Sequence, residues 1–400
     1  MRQKNILPIL FLTLLLDVIG MGMLIPIIPA LFTDNTSTSF MLAGYSTQAQ
    51  YLIAGLITAL FGIMQFLAAP LLGDLSDTYG RKKLLTLGVG VLAVAQILFA
   101  TGIAIGSLTL LFVSRAIAGI AGANFSIAQA SIADVTAPEN RARNFGLIGA
   151  AFGLGFIIGP LLGGFIVSTT HNPALPFLVA GILGVLNLVS VTMLLPETHA
   201  QKGTKNSFSL FKAFHNIGHA YTDVDARPLY LAGFLQMLGF AFFTSFIAIF
   251  LVVRFGFSEA ATGTFFGVVG GWMIFSQVVV VRILSKKYSE RKILTAALPL
   301  LAVVILAYVL IYNQIILYSV IPLMAIAVGL INTSFPALIS KGVSSQRQGA
   351  ALGINGSLMA LSQGLAPLLA GVLAGAFGIS AVFIIGSGLV VLAWVVVTSK

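Results

Sequence analysis

Charge is scarce in this chain. Of 400 residues only 8% are Asp, Glu, Lys or Arg, while 58% are hydrophobic. A water-soluble domain carries about a quarter charged residues. Too little charge is present to coat a water-facing surface, so lipid is the solvent for most of the chain. Cysteine is absent, which excludes disulfides and thiolate metal sites and leaves the redox compartment unread. The four histidines, His171, His199, His215 and His219, fall between the apolar runs and lack metal-ligand partners. No Gly-Lys-Ser/Thr phosphate loop occurs, so ATP is not the energy source. Paired groups of a catalytic centre are also missing. The sequence reads as a non-enzyme without cofactor or metal. Net charge is +10, but the basic residues are scattered over short connections, which is not a nucleic-acid footprint.

What is abundant is long apolar sequence. A membrane span needs about 20 mostly apolar residues, and twelve segments qualify: 6–32, 49–72, 84–105, 107–133, 144–168, 174–196, 228–253, 260–283, 293–312, 316–340, 349–375 and 379–397. The first is too long for the core of a signal peptide, and no small-residue cleavage site interrupts it, so a retained span is expected. Lys and Arg alternate between the connections. One set holds Arg2, Lys4, Arg81, Lys82, Lys83, Arg141, Arg143, Lys286, Lys287, Lys341 and Lys400 among others, whereas the opposite set holds only Arg254. By the positive-inside rule both termini are expected in the cytoplasm, which requires an even number of spans. The expected location is an inner (plasma) membrane.

The polar stretch 197–227 divides the spans into two sets of six. Its apolar residues, among them Phe208, Phe211 and Phe214, are interleaved with Lys212, His215 and His219. Either a short interfacial helix or an irregular linker fits. The two sets repeat one another. After the second span of each, Leu75, Ser76, Tyr79 and Lys83 match Leu284, Ser285, Tyr288 and Lys292 at constant offset. In the fifth and eleventh spans Gly159-Pro-Leu-Leu-Gly-Gly164 matches Ala366-Pro-Leu-Leu-Ala-Gly371. Lys286 stands where the first copy has Asp77, and Glu290 where it has Arg81, so only the first copy keeps the whole charged device. Duplicated halves of this kind hold a substrate site between them near the midplane.

Asp17 is the one acid deep inside a span. It lies about 17 Å along the first helix at 1.5 Å per residue, near the bilayer midplane, where a carboxylate costs roughly 2.5–3.5 kcal/mol. Such a group can take up a proton when its cavity opens to one side and release it when a substrate arrives. The alternative is a structural hydrogen bond to a neighbouring helix. Arg115, within the fourth span, needs a carboxylate, carbonyls or water. A direct pair with Asp17 is one option and a packing anchor another. In the second half the polar residues Gln236, Gln277, Asn332, Asn355 and Gln363 are substrate contacts or helix–helix bonds. Phe234, Phe240, Phe243 and Phe246 of the seventh span are spaced so that several face lipid. If Phe240, Met237 and Trp272 line the cavity, the substrate is bulky and partly apolar.

Four motifs stand in particular spans. The first span carries Leu15-Leu-Asp-Val-Ile-Gly-Met-Gly-Met-Leu-Ile-Pro-Ile-Ile-Pro29. The connection after the second carries Gly73-x₃-Asp77-x₂-Gly80-Arg81-Lys82. The fourth carries Arg115-x₃-Gly119 and ends in Ile132-Ala-Asp134. The fifth carries Gly153-Leu-Gly-Phe-Ile-Ile-Gly-Pro-Leu-Leu-Gly-Gly164. With these the chain resembles the major facilitator superfamily over essentially its whole length, and within it the twelve-span drug:H⁺ antiporters, nearest the tetracycline-efflux-like branch.

The resemblance implies an all-α membrane protein, twelve transmembrane helices in two pseudo-symmetric six-helix halves (1–196 and 228–400), working as a monomer by alternating access. It implies a proton as the coupling ion, with Asp17 and Arg115 as the coupling residues. Gly73, Asp77, Gly80, Arg81 and Asp134 would form a gate latch on the cytoplasmic side, with Asp77 facing the start of the eleventh span near Gly349. Gly155, Gly159, Pro160, Gly163 and Gly164 would form the antiporter motif. Where the tetracycline branch has an intramembrane Asp in the third span this chain has Ala95 and Gln96, and where it has a His in the eighth this chain has Trp272 and its neighbours. The fold of that branch carries over; its metal–tetracycline exchange does not. The expected function is proton-coupled export of a small amphiphilic drug or metabolite. An importer or facilitator of a metabolite or siderophore fits the same fold, and a non-transporting membrane sensor ranks below both.

Overall fold

Backbone surrounded by lipid must close its hydrogen bonds internally, which favours helices. Among the described residues every regular element is helical. The computed structural model describes residues 6–136, 141–198, 218, 227–341 and 348–399. The expected interfacial segment, apart from its edges and Gly218, lies outside them, as do His199, His215 and His219.

Among the described residues twelve helical stretches are long and apolar enough to cross a membrane. They are Ile6–Phe32, Thr47–Tyr79, Arg81–Ala104, Leu108–Asp134, Gly146–Thr170, Leu175–Leu194, Arg227–Phe255, Glu259–Lys287, Glu290–Leu310, Gln314–Lys341, Gly353–Phe377 and Ile379–Thr398. They coincide with the twelve apolar segments of the sequence. Many large apolar side chains on them are exposed, Ile182, Leu186 and Met193 of the sixth span for example, as expected of helices whose outer faces meet lipid.

Several spans depart from a straight helix. The first is interrupted at Met23–Pro26, where Leu24, Ile25 and Ile27 close tightened turns onto the residue three before. Pro26 cannot donate to the helical ladder, which breaks it there. The fourth breaks at Gly122 and Ala123. The eighth contains a π-helical turn, Ser276–Val281. One expectation is corrected: the stretch from Gly73 to Tyr79 is not loop but the end of the second helix, and only Gly80 separates it from the third. The residues from Arg282 to Lys287 are helical too. Continuing the helix satisfies backbone groups that a loop would leave to water.

The chain falls into two compact units. The first holds spans one, three, four, five and six, with the second from Ile63 onward and the start of the eighth to Gly267. Within it span one packs along span five and against span six, and span three packs along spans four and six. The second unit holds spans seven and nine to twelve, with residues Leu31–Gly62 and the eighth span from Val268. Within it span seven packs along spans eleven and twelve, and span nine along ten and twelve. Shifting every number by six turns one list into the other, so the repeat in sequence is also a repeat in packing. The seventh-span aromatics differ from the expectation of lipid contact. Phe243 and Phe246 are buried, and Phe243 lies edge-on to Tyr308 at 5.0 Å and to Phe383 at 5.5 Å.

Candidate functional site

Three positions on one face of the first helix each meet a carboxamide. Thr13, Asp17 and Gly20 are spaced four and three residues apart, so they stack along a single stripe. Thr13 donates its hydroxyl to Oδ1 of Asn187 on the sixth span at 3.1 Å. Asp17 accepts from Nδ2 of Asn124 on the fourth at 3.4 Å. Gly20 leaves room for Gln96 of the third, whose Nε2 would stand 2.8 Å from any Cβ added there. All three amides are buried, whereas Asp17 itself is half-buried. Its carboxyl is anchored to the fourth span. Sequence reasoning missed Asn124. An asparagine two residues past Gly122 reads as an ordinary polar break, and only the packing of span four near span one gives it a partner.

Arg115 is 2% exposed. Its guanidinium lies 4.6 Å from the centre of the Phe99 ring, a cation–π contact, while Nε and Nη2 have no hydrogen-bond partner. No ion pair joins it to Asp17.

The charged cluster is built at the corner between the second and third helices. Gly80 has φ 101°, a left-handed conformation that glycine adopts without strain. That turn brings Arg81 back over the end of the second helix. Its Nη2 meets Asp77 at 2.5 Å, its Nε donates to Asp134 at 3.1 Å, and its Nη1 donates to the Ser76 hydroxyl. The structure thus brings Asp77, Arg81 and Asp134 together, and it adds Ser76 and Glu197. Oε1 of Glu197 accepts from the backbone N–H of Arg81 at 2.9 Å, and the same carboxylate lies against Gly80. This acid comes after the sixth span, 116 residues away, too far for any local pattern to reveal. Around Gly73 nothing lies close enough to demand glycine.

The fifth-span motif has two faces. Gly155, Gly159 and Gly163 line the first span just beyond Asp17. Cβ atoms there would lie 2.6 Å from Val18, 2.7 Å from the Ile19 carbonyl and 2.7 Å from the Met23 carbonyl. Gly164 points elsewhere, onto Glu259 at the start of the eighth span, and Pro160 serves both faces, its ring against Gly22 of the first span and its carbonyl against Gly263 of the eighth. The second unit contains the equivalent crossing. There Gly371 lies against the Tyr51 carbonyl and Gly55 against that of Pro367.

Residues 10–363 match the family description Major Facilitator Superfamily. This chain belongs to the major facilitator superfamily. It is a multi-pass membrane transporter and not an enzyme. It is 30% identical over 371 residues to the class C tetracycline resistance protein of Escherichia coli, covering 92% of this chain and 89% of that one. It is 27% identical to multidrug resistance protein 1 of Bacillus subtilis, covering 93% and 91%. Among solved structures it resembles the human organic anion transporter MFSD10 (TETRAN), with a TM-score of 0.74, 25% identity and full coverage of both chains. It also shares its fold with a D-xylose–proton symporter, at a TM-score of 0.77 and 14% identity, covering 100% and 98%.

The second-half candidates of this transporter do not gather at one place. Gln236 is buried, Met237 and Phe240 are half-buried, and Phe240 stacks on Phe243. Asn355 lies near Gly233 and Phe335, a separate group. Asn332 and Gln363 are exposed, and the backbone of Gln363 packs on Gly62. Trp272 instead lines an open cleft of about 550 Å³ with Gln314, Tyr318 and Pro322. Gln277, on the π-helical turn, donates to the Thr333 hydroxyl at 3.3 Å. Among the described residues no three His, Asp or Glu side chains gather as metal ligands.

Proposed function

We propose that this transporter exports a small amphiphilic compound in exchange for protons, with Asp17 as the proton carrier. One observation carries the reading. Among the described residues Asp17 is the one acid deep inside a span, and its carboxyl is anchored by Asn124. A carboxyl in such a place has a cost that a purely structural role does not require. Asp17 takes a proton while its cavity opens outward, the six-helix halves (1–196 and 228–400, joined by 197–227) rock, and the proton leaves inward as substrate binds. Arg115, the one cation buried in the middle of a span among the described residues, is the second coupling residue. The Asp77–Arg81–Asp134 cluster, with Gly73 and Gly80, latches the cytoplasmic side, and the fifth-span glycines let the helices close tightly enough to prevent a proton leak. Lys and Arg bias supports cytoplasmic termini in an inner membrane. The protein acts as a monomer.

Relatives named for tetracycline and multidrug resistance support export of drug-like molecules. Ala95, Gln96 and Trp272 speak against a metal–tetracycline complex as the cargo, because the acid and imidazole that would serve it are missing. A single carboxylate deep in a span suits a hydrophobic cation or zwitterion.

The test is proton movement in proteoliposomes loaded with a pH dye, comparing wild type with Asp17→Asn against cationic dyes, tetracyclines with a divalent cation, and siderophores. Substrate-triggered proton movement that disappears in the variant is the expected result. Undiminished movement in Asp17→Asn would remove Asp17 from the mechanism. Substrate flux without proton movement in the wild type would point to a facilitator.

A further inference from the structure

Asn124 is 1% exposed and is the first residue of the helical segment after the break in the fourth span. The break is held from the second span by Gln65, whose Nε2 donates to the Gly122 carbonyl at 3.0 Å. One end of the Asn124 carboxamide faces Asp17 at 3.4 Å. The other end, Oδ1, is buried without a hydrogen-bond partner and faces Gly88 of the third span. A methyl group at position 88 would collide with Oδ1, so glycine is what admits the amide.

An ionised carboxyl group only accepts hydrogen bonds, while a protonated one also donates an O–H. A carboxamide has one end for each case, and its two ends are nearly equal in size. Turning it over exchanges donor for acceptor without repacking its neighbours. Buried polar atoms without partners are rare and call for an explanation. We propose, building on the reading of Asp17 as the proton carrier, that the Asn124 carboxamide follows the protonation state of Asp17. It donates Nδ2–H to the carboxylate and, turned over, accepts the carboxyl O–H through Oδ1. Asn124 is thus a positioning residue that sets the pH at which the coupling site exchanges its proton, and Gly88 holds the space for it.

The elements packed against the first span are the third, fourth, fifth and sixth. Their charged residues are Arg81, Lys82 and Lys83 at the start of the third, Asp134 at the end of the fourth, Arg141 and Arg143 ahead of the fifth, and Arg115. Of these only Arg115 lies within the middle of a span, and it is occupied with the Phe99 ring. Among the described side chains of this set, none is bonded to the Asp17 carboxyl.

Acid-minus-base infrared difference spectra of the purified full-length protein test this directly, titrated over pH for wild type, Asp17→Asn, Asn124→Ala and Gly88→Ala. In wild type we expect a titrating carboxyl band that Asp17→Asn removes, accompanied by a side-chain amide band that Asn124→Ala removes. Loss of one hydrogen bond to a charged group should raise the carboxyl midpoint in Asn124→Ala by about one pH unit, a tenfold change in proton affinity. Gly88→Ala should move it the same way with Asn124 still present, which guards against a folding defect in a single variant. A carboxyl band lost in Asp17→Asn but unmoved in both other variants, with no amide signal, would overturn the role of Asn124 and leave Asp17 as the carrier. No band lost in Asp17→Asn would overturn both.

Discussion

Nε of Arg81 stands 3.1 Å from Oδ2 of Asp134, although 53 residues separate them. The same guanidinium also holds Asp77, one helical turn back. One cation therefore ties the end of the second helix to the end of the fourth. Hydrogen bonds to charged groups contribute about 1.5–3 kcal/mol. Asp134→Asn should shift the closing equilibrium of the cytoplasmic side by about tenfold and slow turnover. Because the chain has no cysteine, a single Gln363→Cys reporter would label uniquely. Its labelling rate should rise in the Asp134→Asn background, and an unchanged rate would count against a latch.

The corner at Gly80 gives a second prediction, about stability. Gly80→Ala forces a side chain into φ 101° and into the Glu197 carboxylate. Strain of this kind costs about 1–3 kcal/mol. Glu197→Gln keeps an acceptor for the Arg81 N–H but loses its charge at a helix start, and should cost only about 0.5 kcal/mol. Thermal melting in detergent should rank the two in that order.

Glycines of the fifth span are not interchangeable. Gly159→Val would drive a branched side chain into the backbone of Ile19 and Gly22, whereas nothing lies within 4 Å of a Cβ at Gly153. Overpacking costs about 1–3 kcal/mol, so Gly159→Val should lower the melting temperature by several degrees while Gly153→Val leaves it near wild type. Equal losses would mean that the first and fifth helices are looser than the structure has them.

The two pseudo-equivalent crossings offer a paired test. A Cβ at Gly263 would lie 2.5 Å from the Pro160 carbonyl, and Gly55 is pressed in the same way onto that of Pro367. Gly263→Val and Gly55→Val should therefore destabilise alike, by about 1–3 kcal/mol each. Their effects should add, because the residues belong to different compact units. A large effect from one alone would break the equivalence.

Span number was legible without coordinates, because lipid rewards continuous apolar sequence and penalises charge wherever it falls. Both repeats were legible for the same reason that Asp17 and the Asp77–Arg81–Asp134 charges were: unusual residues at matching places stand out against an apolar background. The helical continuation from Gly73 to Tyr79 was not, since a run containing glycine and two acids reads as a connection until its backbone is seen to satisfy itself.

Partners belong to the tertiary structure. Periodicity says that Thr13, Asp17 and Gly20 share a face, but not that Asn187, Asn124 and Gln96 come to meet it. Asn124 and Glu197 look ordinary in sequence and acquire meaning only across 107 and 116 residues. The division of the fifth-span motif into a face for the first span and a face for the eighth likewise required the packing. Hydrophobicity acts on each segment alone and is written residue by residue. Hydrogen bonds and close glycine contacts need a specific neighbour at a specific angle, and only the folded arrangement of the helices supplies one.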